Sequence, residues 1–219
     1  MHIFDNKPLP SNTRFYIPPT LQSNYDNYLR TNVPGHTYNA TLNNVQSIRC
    51  AFHADAKNPD EKILRVSLST PIRRGDIISI EGEGQYLIPN VTRQVDCYAC
   101  EPLRLNALLT VTRKTPRKAD SLGQIIQQAG EETICTDQLA HSVSSDSFQK
   151  QDIGVVVLGE PTFLLPLNDE TRQIRREDEF TLDGETYSIY HVGFDQCDPG
   201  RTHGIIKLHC RRKGGESHD

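Results

Sequence analysis

The sequence of 219 residues has no tryptophan, one methionine and a hydrophobic content of 36%. Because large apolar side chains supply most of a hydrophobic core, this composition favours small cores over one large core. No run approaches the ~18 consecutive apolar residues that a membrane-spanning helix needs, so we expect no membrane partner. Residues 1–8 do not read as a signal peptide. We therefore expect a soluble protein that is synthesised in the cytoplasm.

The sequence also lacks the motifs of common enzyme classes. It contains no glycine-rich phosphate loop and no GxSxG or HExxH pattern. Gly82 and Gly84 lie in a predicted hairpin turn, not between a strand and a helix. The adjacent carboxylates Glu177, Asp178 and Glu179 would alternate between the two faces of a strand and so would not converge on one point. We therefore predict no enzymatic activity, no catalytic residue and no cofactor.

One of the cysteine spacings is that of half a zinc site. Cys97 and Cys100 form a CxxC pair, but the other four cysteines are single, and tetrahedral zinc needs a second pair of ligands at comparable spacing. A thioredoxin-like motif opens a helix, which the nearby Pro102 and the β-rich surroundings disfavour. We predict reduced thiols and no metal site. A small zinc enzyme that uses Cys97 and Cys100 is kept as an alternative.

The most informative feature that is present is an internal repeat. Residues 72–83 reappear 102 positions later as residues 174–185, with six of the twelve positions identical. After one extra residue in the first copy, the repeat continues at Tyr86 and Tyr187. A repeat at a fixed spacing of this kind indicates duplicated supersecondary units. Duplicated β-modules usually build surfaces and assemblies, so the repeat favours a structural role.

The repeat predicts the fold class. The Glu-Gly and Asp-Gly pairs at its centre are typical of tight β-hairpin turns. Residues 62–68 are predicted to match residues 162–167 before the hairpin, and residues 108–114 to match residues 205–213 as the strand that closes each copy. We predict a mainly β protein with two related small antiparallel β-barrels or β-sandwiches, joined by a short helix.

The first forty residues predict an extended arm. They contain five prolines and many asparagines, a composition that disfavours continuous regular structure. Within this arm Leu21, Tyr25, Tyr28 and Leu29 have the spacing of one short amphipathic helix. Aromatic side chains on a polar, proline-rich arm predict anchors that bury in a neighbouring subunit or on the chain's own barrel.

A second short helix is predicted over residues 120–129. Asp120 or Ser121 would cap its first turn, and Gly130 would end it. The predicted domains are an arm over residues 1–40, a first barrel over residues 41–116, and a second barrel over residues 117–219 that begins with this linker helix.

Charge divides unevenly between the two halves of the chain. Residues 1–118 hold 15 Lys and Arg against 10 Asp and Glu, whereas residues 119–219 hold 9 against 18. Such a chain could stack head to tail, or could present one face to DNA and another to protein. The basic residues are scattered and do not cluster with aromatics, which argues against a dedicated nucleic-acid-binding module.

The first copy resembles a family of phage proteins. Gly75 followed by Asp76, the Gly82 turn and the Tyr86-Leu-Ile segment, followed by residues 95–100 and the Leu-Thr-Val-Thr-Arg run that ends at residue 113, look like neck proteins of tailed bacteriophages. In those head-closure, stopper or head–tail joining proteins, a small β-barrel carries a similar hairpin. The resemblance implies a non-catalytic virion protein of the neck or tail region. It would form part of the ring-shaped connector that joins portal to tail and helps retain packaged DNA.

The resemblance also implies partners and places for them. The partners are further copies of the chain in a homo-oligomeric ring, a portal or adaptor protein, tail proteins, and packaged DNA held without sequence specificity. In such a ring the arm would grip the next subunit, and one loop would point into the channel. The hypothetical subunit-interface residues are Phe15, Tyr16, Tyr25 and Tyr28. The hypothetical channel-loop residues are Gln94 and Arg104, in the loop over residues 94–106, and Asp146, in the loop over residues 142–150.

Two structural alternatives stay open beside the zinc enzyme. A tail-hub or baseplate component would use the same β-modules, and its position in the particle would distinguish it from a neck protein. A carbohydrate-binding module is compatible with a β-sandwich, although the chain has no tryptophan.

Overall fold

The computed structural model describes residues 19–31, 35–54, 62–119, 121–122, 124–143 and 160–213. This part of the chain holds one α-helix and sixteen strands, and no helix in it has the length and apolarity to cross a membrane. The helix is α1 (Pro19–Arg30). The strands are β1 (Thr37–Leu42), β2 (Gln46–Ala54), β3 (Lys62–Ser67), β4 (Ile77–Ile80), β5 (Gly84–Leu87), β6 (Thr92–Arg93), β7 (Cys97–Cys100), β8 (Leu103–Arg104), β9 (Ala107–Thr115), β10 (Lys118–Ala119), β11 (Ile125–Gln127), β12 (Gly130–Val143), β13 (Thr162–Pro166), β14 (Glu179–Leu182), β15 (Glu185–Cys197) and β16 (Gly204–Arg212).

The first eight strands form one antiparallel sheet, in the order β6-β7-β3-β2-β1-β4-β5-β8. β7 and β8 lie toward opposite ends of this sheet, yet only Glu101 and Pro102 separate them in the chain. Three Cα–Cα steps span at most about 11 Å, so the sheet curls until its two ends lie close together. Pro102 is buried at this junction and has no N–H to donate, which interrupts the strand between β7 and β8.

The second sheet closes on itself as a six-stranded barrel, in the order β12-β13-β16-β15-β14-β9. Inward side chains from all six strands form one hydrophobic cluster, and β13 is buried along its whole length. Phe163 and Phe180 meet edge to face at its centre, with ring centroids 5.2 Å apart. The fully buried side chains around them are Leu109, Leu165, Ile189 and Ile206.

The two sheets are copies of one module. Strands β1, β2, β3, β4 and β5 occupy the same order as β9, β12, β13, β14 and β15, and β7 together with β8 takes the place of β16. Where the first strand of each copy pairs with the second, Tyr38 lies opposite Cys50 and Ala107 lies opposite Ala140. Four residues further along, where the first strand pairs with the fourth, Leu42 lies opposite Ile78 and Val111 lies opposite Phe180. The predicted fold class, mainly β with two related small antiparallel units, is confirmed: the first unit is a half-barrel sheet and the second a closed barrel.

One strand belongs to a different copy from the one predicted. The prediction that residues 108–114 close the first copy is wrong, because β9 pairs with β12 and β14 and opens the second. Its inward side chains, Leu109 and Val111, pack in the second core. The chain passes between the copies after β8 ends at Arg104, upstream of the predicted boundary at residue 116.

The predicted linker helix over residues 120–129 is wrong for the described residues of that segment. Residues 121 and 122 form a turn, and Ile125–Gln127 is strand β11, which pairs with β10. Apolar residues in so short a run fit a helix and a strand equally well. The pairing of β10 with β11 decides the outcome, because Gln127 and Ile125 lie opposite Lys118 and Ala119.

The predicted helix in the arm is confirmed as α1. Pro19 occupies its first position, where a missing N–H costs nothing. Leu29 is buried, and the helix packs on β2 and β3 of its own chain. Residues 1–18 and 32–34 of the predicted arm lie outside the described residues. The predicted end of the arm at residue 40 is wrong, because residues 37–40 belong to β1 and pair with β2.

The copies meet through a small apolar cluster and a close backbone contact. Leu87 and Leu105 pack against Leu164 and Ile205 in this cluster. Beside it, an ideal Cβ built on Gly75 would lie 2.2 Å from the carbonyl oxygen of Gly204. A side chain at residue 75 would therefore hold the two copies apart.

Candidate functional site

The polar residues of the repeat shape a turn. The carboxylate of Asp76 accepts the backbone N–H of Arg73 at 2.6 Å, and that of Asp178 accepts the N–H of Arg175 at 2.7 Å. Both aspartates are buried. A buried carboxylate that accepts backbone N–H groups fixes a turn. The matched aspartates are therefore structural residues in both copies.

The residue before each aspartate has a positive φ angle. Gly75 has φ +90° and Glu177 has φ +75°. The N–H of Gly75 donates to the carbonyl of Ile88 at 2.8 Å, and the N–H of Glu177 donates to the carbonyl of Ile189 at 2.7 Å. Glycine adopts such angles without strain, whereas glutamate does not. The first copy needs glycine for a second reason, which is the close approach of Gly204.

The largest difference between the copies is the length of their first hairpin. In the first copy, residues 43–45 join the partners Leu42 and Gln46. In the second copy, residues 112–134 join the corresponding partners Val111 and Cys135. We call residues 112–134 the β9–β12 extension. Insertions carried by one copy of a repeat often mark a binding face, which makes this extension the candidate functional site.

The extension is fixed at its base by a buried ion pair. The Arg113 guanidinium donates from Nε to Oδ1 of Asp178 at 2.7 Å and from Nη2 to Oδ2 at 2.9 Å. Nη2 also donates to the carbonyl of Gln173 at 2.8 Å. The Asp178 side chain is 1% exposed, and its hydrogen bonds raise the pKa of Arg113 above its usual value. Bidentate pairs of this kind fix direction as well as distance.

A cluster of one carboxylate and two lysines lies beside this ion pair. Lys114 contacts Glu179 at 2.9 Å, and Lys213, which follows β16, contacts the other oxygen of the same carboxylate. Burial raises the pKa of Glu179, but hydrogen bonds from Lys213 and Lys114 outweigh it, so the net pKa lies below the usual range. The first copy has Ile77 at the corresponding position. The charged base therefore occurs in the copy that carries the extension.

Beyond its base, the extension is a two-stranded ribbon with two open edges. β14 pairs with β9 at Val111 and Thr112, and β13 pairs with β12 from His141 onward. Within the described residues, no strand pairs with the outer edge of β9 after Thr112 or of β12 before His141. Such edges offer backbone N–H and C=O groups to another strand.

The two strands of the ribbon carry opposite charges. Lys114, Arg117 and Lys118 lie on β9, the following loop and β10, whereas Glu131 and Glu132 lie on β12, and all five are exposed. Sequence reasoning missed this ribbon because it assigned part of it to a helix. The signal that could have found it is the repeat itself. An alignment of β1 with β9 would have shown the surplus length between paired strands.

The predicted subunit-interface residues are placed in part. Phe15 and Tyr16 lie outside the described residues. Tyr25 is half-buried on α1, with its ring centroid 5.9 Å from that of Tyr28. Burial against its own first sheet raises the pKa of Tyr25 far above its usual value. Tyr28 is 39% exposed and is the better placed of the two to meet another subunit, which stays a prediction.

The predicted channel-loop residues do not share one loop. The long loop predicted over residues 94–106 is wrong, because that segment contains β7 and β8. Gln94 begins the tight turn between β6 and β7 and donates its N–H to the carbonyl of Cys97 at 2.9 Å. Arg104 lies on β8, and its carbonyl contacts Nδ1 of His141 at 2.7 Å. Asp146 lies outside the described residues. A channel role for these residues stays a prediction.

The geometry of β7 separates the two thiols of the CxxC pair. Residues three apart on a strand point to opposite faces. Cys100 packs in the first core, whereas the Cys97 thiol contacts Oε1 of Gln94 at 3.4 Å. Within the described residues, no group of three or more His, Cys, Asp or Glu side chains is arranged to hold a metal ion.

Thiol reactivity provides a test of this core packing. Five of the six free cysteines are buried and one, Cys197, is half-buried. We expect at most one thiol per chain to react promptly with Ellman's reagent in the native protein, and all six after unfolding in urea. Fast reaction of Cys97 and Cys100 in the native state would contradict the described packing of β7.

Alkaline pH is expected to destabilise the fold. Burial raises the pKa of Cys50 and of Cys100 from 9.0 to about 12, and that of Cys97 to about 11. Above pH 9.0 the unfolded chain loses these protons while the folded chain keeps them, so stability falls as pH rises toward 12. Urea midpoints measured from pH 8 upward check this. A serine at Cys50 should flatten the dependence, and an unchanged slope would contradict it.

Comparisons of the chain with protein-family models, with curated proteins and with solved structures found no match.

Proposed function

We propose that this chain is a structural virion protein of a tailed phage and forms part of the ring-shaped head–tail connector, the neck. It joins portal to tail and helps retain packaged DNA. The observation that carries the proposal is one antiparallel β-module present twice, as a half-barrel sheet and as a closed barrel, with an anchored extension on the second copy. Repeated modules with one protruding element suit a building block that contacts several neighbours.

The structural roles of the buried carboxylates support the same proposal. Asp76 and Asp178 hold turns, and Glu179 with its two lysines fixes the base of the extension. Each of these carboxylates has its hydrogen-bond or ion-pair partners within the chain. The hairpin that resembles those of phage neck proteins is the part of the chain that is duplicated.

The experiment that tests the proposal is deletion of the gene in the phage or prophage that encodes the chain, with complementation from a plasmid as control. A neck protein predicts tailless heads that package DNA and then lose it. A tail-hub or baseplate role predicts heads that keep their DNA and carry a finished neck. Particles of normal form and infectivity would overturn both roles.

A further inference from the structure

We infer that the β9–β12 extension is a subunit-joining strand ribbon: the basic β9–β10 edge of one copy pairs with the acidic β12 edge of the next copy. This deepens the proposed function, on which it rests, by naming the surface through which copies of this chain join. It is carried by the edges, the charges and the anchored base of the extension.

The open edges are the first part of the argument. Within the described residues, the outer edges of β9 after Thr112 and of β12 before His141 have no strand partner. Exposed edges of this length invite pairing with another chain and are usually shortened, covered or charged. Here both edges carry charge, but of opposite sign.

The signs of the charges determine the partner edge. A two-fold dimer that joins β12 to β12 at its outer end would place Glu131 and Glu132 beside the same residues of its partner. A dimer through the other edge would place Arg117 and Lys118 beside their own copies. Like charges that face each other across strands are destabilising. The pairing favoured by charge is basic edge to acidic edge, which is a head-to-tail contact.

The strand directions agree with this pairing. β9 and β12 run antiparallel within one ribbon. When two ribbons lie side by side and point the same way, β12 of one therefore runs antiparallel to β9 of the next. Head-to-tail contacts between identical subunits close into rings when the rotation between neighbours is suitable. The ribbon geometry thus suits cyclic assembly.

The base of the extension fixes its direction. Arg113 is held by Asp178, and Lys114 by Glu179, so β9 leaves the barrel in a defined orientation. An interaction element that is ordered before binding loses less conformational entropy on assembly. Each subunit would then present the same edge at the same angle.

The first test removes the outer part of the ribbon, with Arg117 and Lys118, and keeps the barrel. Thr115 and Gly130 are paired across the hairpin, so residues 116–129 can be replaced by an Asn-Gly turn that suits a two-residue hairpin. We expect this variant to melt close to the wild-type temperature and to stay monomeric in analytical ultracentrifugation and native mass spectrometry, where the wild type assembles. Assembly equal to wild type would overturn the inference.

The second test reverses charge on one edge at a time. Arg117→Glu with Lys118→Glu is expected to weaken assembly by roughly a hundredfold or more, whereas Arg117→Lys with Lys118→Arg keeps the charge and should assemble as wild type. The variant with Glu131→Lys and Glu132→Lys should likewise assemble poorly when it is tested alone. An equimolar mixture of the two reversed variants should assemble, with both in equal number, because acidic edges again meet basic edges.

The possible results separate the inference from the proposed function. Restored assembly of the mixture supports the inference, and an Arg117→Glu, Lys118→Glu variant that assembles normally overturns it. A wild-type chain that stays monomeric up to its solubility limit also overturns it. None of these results decides the neck role, which the particle phenotype of the gene deletion tests separately.

Discussion

Replacing Asp178 with alanine is expected to lower the free energy of unfolding by about 3–5 kcal/mol, because it leaves a partly buried guanidinium without its carboxylate. Arg113 loses two charge-assisted hydrogen bonds, and the N–H of Arg175 loses its acceptor. Urea denaturation followed by circular dichroism measures the change, read as a shift of the midpoint at constant slope.

The duplicated turn supplies a matched control for this variant. Asp76 accepts the N–H of Arg73 and an amide hydrogen from Nδ2 of Asn43, both neutral donors, and Nε2 of His203 lies 3.3 Å from its Oδ1; it has no bidentate guanidinium partner. Asp76→Ala should therefore cost less, about 1–3 kcal/mol. If the two alanine variants lose the same small stability, the ion pair does not anchor the extension as described.

Replacing Gly75 with alanine is expected to cost about 3 kcal/mol or more, since it adds left-handed backbone strain to a steric clash. The new Cβ would lie 2.2 Å from the carbonyl oxygen of Gly204 in the other copy. Two backbone segments cannot absorb such an overlap without moving apart. The expected result is a lower urea midpoint and faster proteolysis near residues 104–107, between the copies.

Glu177 provides the control, because it occupies the corresponding turn position with φ +75°. Glu177→Ala keeps the backbone strain that is already present and should change stability by about 0.5 kcal/mol or less. A loss of only about 1–2 kcal/mol in Gly75→Ala, which left-handed backbone strain alone would produce, would contradict the close contact between the copies.

The hairpins could be read from the sequence because their signals are local. Gly82 and Gly184 have φ near +80°, as a tight turn requires. The hairpin partners Ile78–Tyr86 and Phe180–Tyr187 confirm the single extra residue in the first copy. The turn residues and the apolar residues of a hairpin lie within a few positions of one another, so a single sequence is enough to recognise them.

The assignment of β9 and the ribbon could not be read in the same way. β9 pairs with strands that begin well beyond it in the chain, and Arg113 meets Asp178 across 65 residues. A single sequence shows no such pairing. Pro102 was a usable signal for the break between β7 and β8, but only once both were known to take the place of β16.

Only part of the candidate site could be predicted from the sequence. The carboxylates of Glu177, Asp178 and Glu179 were predicted to diverge, and two of them turn to different partners, Arg113 and Lys114. Their role in fixing an extension depends on the strand order of the barrel. Residue spacing carries no information on that order.

The sharpest test is a reconstruction of the encoding phage's particles by electron cryomicroscopy at side-chain resolution. We expect a ring between portal and tail in which every subunit shows both sheets and each β9–β10 edge meets the β12 edge of its neighbour. Density for this chain at the tail tip, or no density for it in the particle, would contradict the proposed neck role.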